Sequence, residues 1–178
     1  MKKKVIILII AVLAGTYFLF SKSKDPFLER NGFNNLSQEE IVESLEDRTN
    51  KTEVEAGILG DRLEMSDSIG SYTMKLPKDK FYLSVAPYIN QTHPCVNHSL
   101  TGCQGELVNE KVRVKIVDKN GKNIVDKEVV TYSNGFFGLW LPKNIEGTII
   151  VYYGEKSAST AITTFNNSET CLTTLNLK

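Results

Sequence analysis

Four of the chain's five soft-metal side chains crowd into one short stretch. There are three cysteines and two histidines in all. His93, Cys95, His98 and Cys103 fall within His93-Pro94-Cys95-Val96-Asn97-His98-Ser99-Leu100-Thr101-Gly102-Cys103, and Cys171 stands near the C-terminus. Thiolate and imidazole are soft to borderline donors that suit Cu(I) or Zn(II). Three thiolates, or two with one imidazole, form a trigonal set that fits Cu(I), whose filled d shell accepts low coordination. Zinc prefers four ligands at tetrahedral angles, and the same residues could supply Cys₃His or Cys₂His₂. The sequence lacks the Cys-x₂-Cys knuckle of many zinc sites and any acidic cluster with calcium-loop spacing. The candidate metal ligands are therefore Cys95, Cys103, Cys171, His93 and His98.

A plainer role competes with this one. Exported cysteines usually form disulfides. Cys95 or Cys103 could bridge to Cys171 and staple the loop to the last strand, making a structural or interaction module. Three cysteines leave one unpaired, which calls for another role. Outside the cytoplasm the surplus has a use: two thiols can reduce Cu(II) and become a disulfide while a third remains as ligand. Cys-His nucleophilic catalysis has no protease signature around either loop cysteine. There is no Gly-x-Ser-x-Gly, phosphate-binding loop or dinucleotide fingerprint. Asp61, Glu64 and Asp67 read as a solvated segment, and Phe136, Phe137 and Trp140 as core.

The elements that must position these residues begin after an export signal. Lys2, Lys3 and Lys4 precede an apolar run from Val5 to Phe20. That pattern is a secretory signal, either cleaved or retained as an anchor. Ala14-Gly15-Thr16 is the nearest approach to a cleavage site, and no cysteine is close enough for lipoprotein processing. Residues after about Ser21 are placed outside the cytoplasm. Lys+Arg and Asp+Glu both total 21, so the chain is neutral overall. It offers no broad attraction to nucleic acid, for which it also lacks a motif.

Ser37 and Glu40 form a capping box for a helix over 37–47, with Ile41 and Leu45 on its buried face. Asn50 and Glu53 suggest a second, short helix over 51–59. From about Met65 the apolar period changes from helical to alternating. Met74 and Leu76, then Phe81, Leu83 and Val85, read as strands. Residues 88–106 read as an irregular connection. Beyond it, strand follows turn: Val112 to Ile116, an Asn120-Gly121 turn of type I′, Val125 to Tyr132, Phe136 to Leu141, Thr148 to Tyr153, a strand ending near Phe165, and Cys171 to Leu177. The expected fold is α+β: a small N-terminal helical and short-strand module, then an antiparallel β-sandwich-like C-terminal domain. The expected divisions are 1–24 (signal or anchor with linker), 25–87, 88–106 (metal-motif connection) and 107–178.

The cysteine-centred motif resembles the CueP family of periplasmic copper-resistance proteins. The resemblance lies in His93 to Cys95 (His-Pro-Cys), His98 to Thr101 (His-Ser-Leu-Thr), Gly102 to Glu106 (Gly-Cys-Gln-Gly-Glu) and Cys171 to Leu175 (Cys-Leu-Thr-Thr-Leu). It implies an exported copper binder in which Cys95, Cys103 and Cys171 are the metal-site cysteines and His93 and His98 are matched positions. It also implies copper storage or delivery, Cu(II) reduction to Cu(I) as a further reaction, and homodimer formation through the N-terminal region. A thiol-disulfide reductase and a copper-receiving protein follow as partner classes. The lysine-rich N-terminus without an evident cleavage site departs from the family and points to a membrane-tethered form.

Overall fold

A computed structural model describes residues 25–48 and 53–178. The expected signal or anchor at 1–24 lies outside the described residues. Two compact units part after Asn35. The described portion of the first carries a short helix, α1 (Pro26–Arg30), whose N-terminus is capped by the Asp25 carboxylate accepting from the Phe27 amide at 2.9 Å. Among the described residues, no helix is long and apolar enough to cross a membrane.

The second unit opens with α2 (Gln38–Asp47). Its capping box forms as the spacing required: the Ser37 hydroxyl accepts from the Glu40 amide, and the Glu40 carboxylate accepts from the Ser37 amide at 2.7 Å. Ile41, Val42 and Leu45 are buried along one side, and Glu46 is buried with them.

Eleven strands follow among the described residues: β1 (Glu55–Ile58), β2 (Arg62–Ser66), β3 (Ser71–Lys75), β4 (Lys80–Val85), β5 (His98–Ser99), β6 (Lys111–Asp118), β7 (Asn123–Val130), β8 (Phe137–Pro142), β9 (Glu146–Tyr153), β10 (Lys156–Thr163) and β11 (Cys171–Leu172). They form three sheets, ordered β3-β2-β1-β5, β10-β9-β6-β7 and β11-β4-β8. The last two share one apolar core. Phe81, Leu83 and Val85 of β4 and Phe137, Leu139 and Leu141 of β8 join Val112, Val114 and Ile116 of β6 and Ile149 and Val151 of β9. Side chains at alternate positions face inward, as a two-layer arrangement requires. The protein is thus mostly antiparallel β-sheet with few helices.

Three local expectations differ from the structure. The stretch expected to be a helix over 51–59 carries β1 instead. Val54, Ala56 and Ile58 are buried at every second position, so the decisive period is 2. The Asn120-Gly121 turn is not of type I′, which needs positive φ at both central residues. Only Gly121 has it, at 82°, while the Asp118 carboxylate accepts from the amides of Asn120 and Lys122. The final strand is shorter than Cys171 to Leu177: β11 covers two residues and runs parallel to β4. β4, which precedes the metal-motif connection, pairs with β8 in full register.

Candidate metal centre

The site forms where two short edge strands lie side by side. β5 is an edge strand added to β1, with Ile58 opposite His98. β11 is an edge strand added to β4, with Cys171 opposite Ser84. Thr170 joins the two edges. Its hydroxyl accepts from the His98 amide at 3.0 Å and donates to the Ile58 carbonyl at 2.6 Å, and its own amide donates to Val96. His98 and Cys171 are thereby held side by side although 73 residues separate them.

The loop sulfurs are fixed by the turns around them. After β5, the amides of Gly102 and Cys103 both donate to the Ser99 carbonyl, so the chain curls back at once. Arg48, in the left-handed conformation that ends α2, donates to the carbonyls of Leu100 and Cys103. On the other side, the Glu106 carboxylate accepts from the amides of Ile89, Asn90 and Gln91 and secures the segment that leads to Cys95. Burial opposes its charge, but these hydrogen bonds hold its pKa down to about 2. Gly105 meets Gly135 backbone to backbone. A Cβ on Gly105 would stand 2.7 Å from the Gly135 carbonyl oxygen, so neither loop has room for a side chain there.

The result is a compact set of donors. The ligand atoms of Cys95, His98, Cys103 and Cys171 all lie within 4.8 Å of one another. Cys95 and Cys171 form a disulfide, and Cys103 is free. The Cys103 sulfur is 3.6 Å from that of Cys95, and His98 Nδ1 is 3.4 Å from that of Cys171. Cys171 and His98 are fully buried, whereas Cys95 and Cys103 are half-buried and form the accessible side. Phe136 and Ala86 make the apolar floor, with the Phe136 ring centroid 4.5 Å from that of His98.

His93 lies outside this tight set. Its ring stands 6.2 Å from Phe136. Burial alone would raise the Cys103 thiol pKa. Hydrogen bonds from His98, His93 and the Ser99 backbone reverse that and bring it down to about 7. Burial alone would likewise keep His98 neutral, yet hydrogen bonds to Cys103 and Glu46 raise it to about 9.

A model of the family described as "Periplasmic copper-binding protein CueP" matches residues 40–176. The chain belongs to the CueP family. The crystal structure of S.CueP is similar to it at 45% identity, covering 89% of this chain and 99% of that one with a TM-score of 0.83. No curated protein matches the chain.

The residues that surround this CueP-family cluster were largely missed in the sequence. Glu46 is the main one. It is fully buried, its Oε1 lies 3.0 Å from His98 Nε2, and it accepts from Asn134 Nδ2 at 3.1 Å and Ser84 Oγ at 2.8 Å. A signal was present: Glu46 sits four residues after Val42 and next to Leu45, which places a carboxylate on the apolar side of its helix. Nothing in the sequence singles out Asn134 as a candidate, and Phe136 reads only as core.

Proposed function

We propose that this protein is an extracytoplasmic copper binder that takes up copper at Cys95, Cys103, Cys171 and His98. The observation that carries the proposal is the convergence of three sulfurs and one imidazole within 4.8 Å on an apolar floor. Family membership supports the choice of copper and the location. A three-sulfur set with one nitrogen is soft enough for Cu(I). Zinc is the second reading, because four donors of the Cys₃His type also suit a tetrahedral ion. His93 serves beside the site as a hydrogen-bond partner of Cys103 or as an alternative nitrogen donor.

The disulfide gives the proposal its redox half. When all three thiols are free, Cys95 and Cys171 can each give one electron to a Cu(II) ion. They lose their two protons and form the Cys95–Cys171 bond, while two Cu(II) become two Cu(I). One Cu(I) stays with Cys103 and His98, and the other leaves. A thiol reductant must then reopen the disulfide before the full three-sulfur set is available again, which gives a thiol-disulfide reductase a place as partner. A copper-receiving protein would draw on the bound Cu(I). A homodimer and a retained N-terminal anchor belong to the same proposal.

Anaerobic mixing of the fully reduced chain with excess Cu(II) tests it. The expected result is two thiols lost and two Cu(I) formed per chain, with the new disulfide mapped by mass to Cys95–Cys171. Full thiol retention together with Cu(II) left free in solution would refute copper capture at this site.

A further inference from the structure

Glu46 has no part in metal binding as described so far, yet its burial needs a reason. A buried carboxylate is costly unless its oxygens are satisfied. Here three donors from three separate elements converge on it: Ser84 of β4, Asn134 of the turn before β8, and His98 of β5. Of the three, His98 also reaches a sulfur, with Nδ1 beside Cys171. The two ring nitrogens of His98 therefore face opposite chemistry, with Nε2 at 3.0 Å from a carboxylate oxygen and Nδ1 at 3.4 Å from the Cys171 sulfur. A neutral imidazole carries one proton, and the nitrogen that donates it cannot bind a metal.

We propose that Glu46 is a positioning residue that holds the proton of His98 on Nε2 and so makes Nδ1 the metal-binding nitrogen beside the sulfurs. The inference rests on the copper reading above and deepens it. Carboxylate partners of this kind fix ring orientation and raise ligand basicity. Asn134 and Ser84 keep the carboxylate itself from rotating away. The arrangement also separates the two histidines. His98 is locked by a buried partner, whereas His93 is half-buried and lies outside the four-donor set.

Two substitutions and one spectrum test this. Glu46→Gln can keep an oxygen toward His98 and Asn134 while its amide donates to the Ser84 hydroxyl. Glu46→Leu offers His98 no acceptor. Cu(I) affinity of the reduced full chain is expected to fall about 10- to 100-fold in Glu46→Leu. Glu46→Gln is expected to recover most of that loss. Ring-nitrogen NMR of the Cu(I)-loaded native chain should show Nδ1 coordinated and the proton on Nε2. Folded Glu46→Leu with native affinity would overturn the proposal, as would a native spectrum with copper on Nε2. If Glu46→Leu does not fold, the native spectrum decides alone. If the native chain binds no Cu(I), the copper reading fails instead. The metal-free native chain, at a pH where the ring is neutral, then tests Glu46 by itself: Nε2–H supports the inference and Nδ1–H overturns it.

Discussion

Replacing Cys171 by serine is expected to weaken Cu(I) binding by the reduced protein by about 100-fold or more, because a hydroxyl is a poor ligand for a soft ion. Cys171 is the natural position for this test. Its sulfur is fully buried and lies 3.4 Å from His98 Nδ1, at the inner end of the site. Serine has nearly the same shape and can hydrogen-bond to the same ring nitrogen, so packing changes little. The comparison is made between reduced chains, neither of which carries the Cys95–Cys171 bond, so loss of the staple does not enter. Competition against a Cu(I) chelator, with circular dichroism to verify folding, reads the effect. Unchanged affinity in Cys171→Ser would remove the inner sulfur from the site.

The second large effect concerns pH. In the disulfide form, alkylation of Cys103 should rise with pH through a midpoint of about 7 rather than the ordinary thiol value of about 8.5. The cause lies in hydrogen bonds from His98 and His93 and the Ser99 backbone, which outweigh burial. His98→Asn should move the midpoint back up, since burial then acts with fewer opposing partners. The stability consequences have opposite signs. The depressed Cys103 value adds stability that is complete above about 8.5 and is lost as pH falls through about 7. The raised His98 value adds stability that is complete below about 6.5 and is lost as pH rises through about 9. The imidazolium–thiolate pair therefore holds between about 7 and about 9. A Cys103 midpoint near 8.5 that His98→Asn leaves in place would contradict this electrostatic picture.

The sequence revealed the candidate donors better than the framework around them. Cysteine and histidine are rare in this chain, so a cluster of them stands out against composition alone. The long strands of the sandwich were also legible, because Val112, Val114 and Ile116 alternate strictly and each repeat ends in a recognisable turn. β1 was misread because Val54 and Ile58, four residues apart, fit a helical spacing as well as an alternating one. β5 escaped because it is two residues long and exists only by pairing with a distant strand, and β11 was expected as a longer strand whose parallel pairing with β4 leaves no local trace. Those two short edges bring His98 to Cys171, so the feature hardest to see locally is the one that assembles the site. Glu46 was hidden for a related reason: a carboxylate in a helix rich in Glu reads as solvent-facing until its tertiary partners are known.

Side-by-side competition titrations of the fully reduced chain with Cu(I) and with Zn(II) settle what the cluster holds. One Cu(I) per chain should bind tightly, resist displacement by zinc, and bind far more weakly once the Cys95–Cys171 disulfide has formed. Tight zinc binding with Cu(I) excluded, or equal Cu(I) affinity in the reduced and disulfide forms, would contradict a copper site built on three sulfurs.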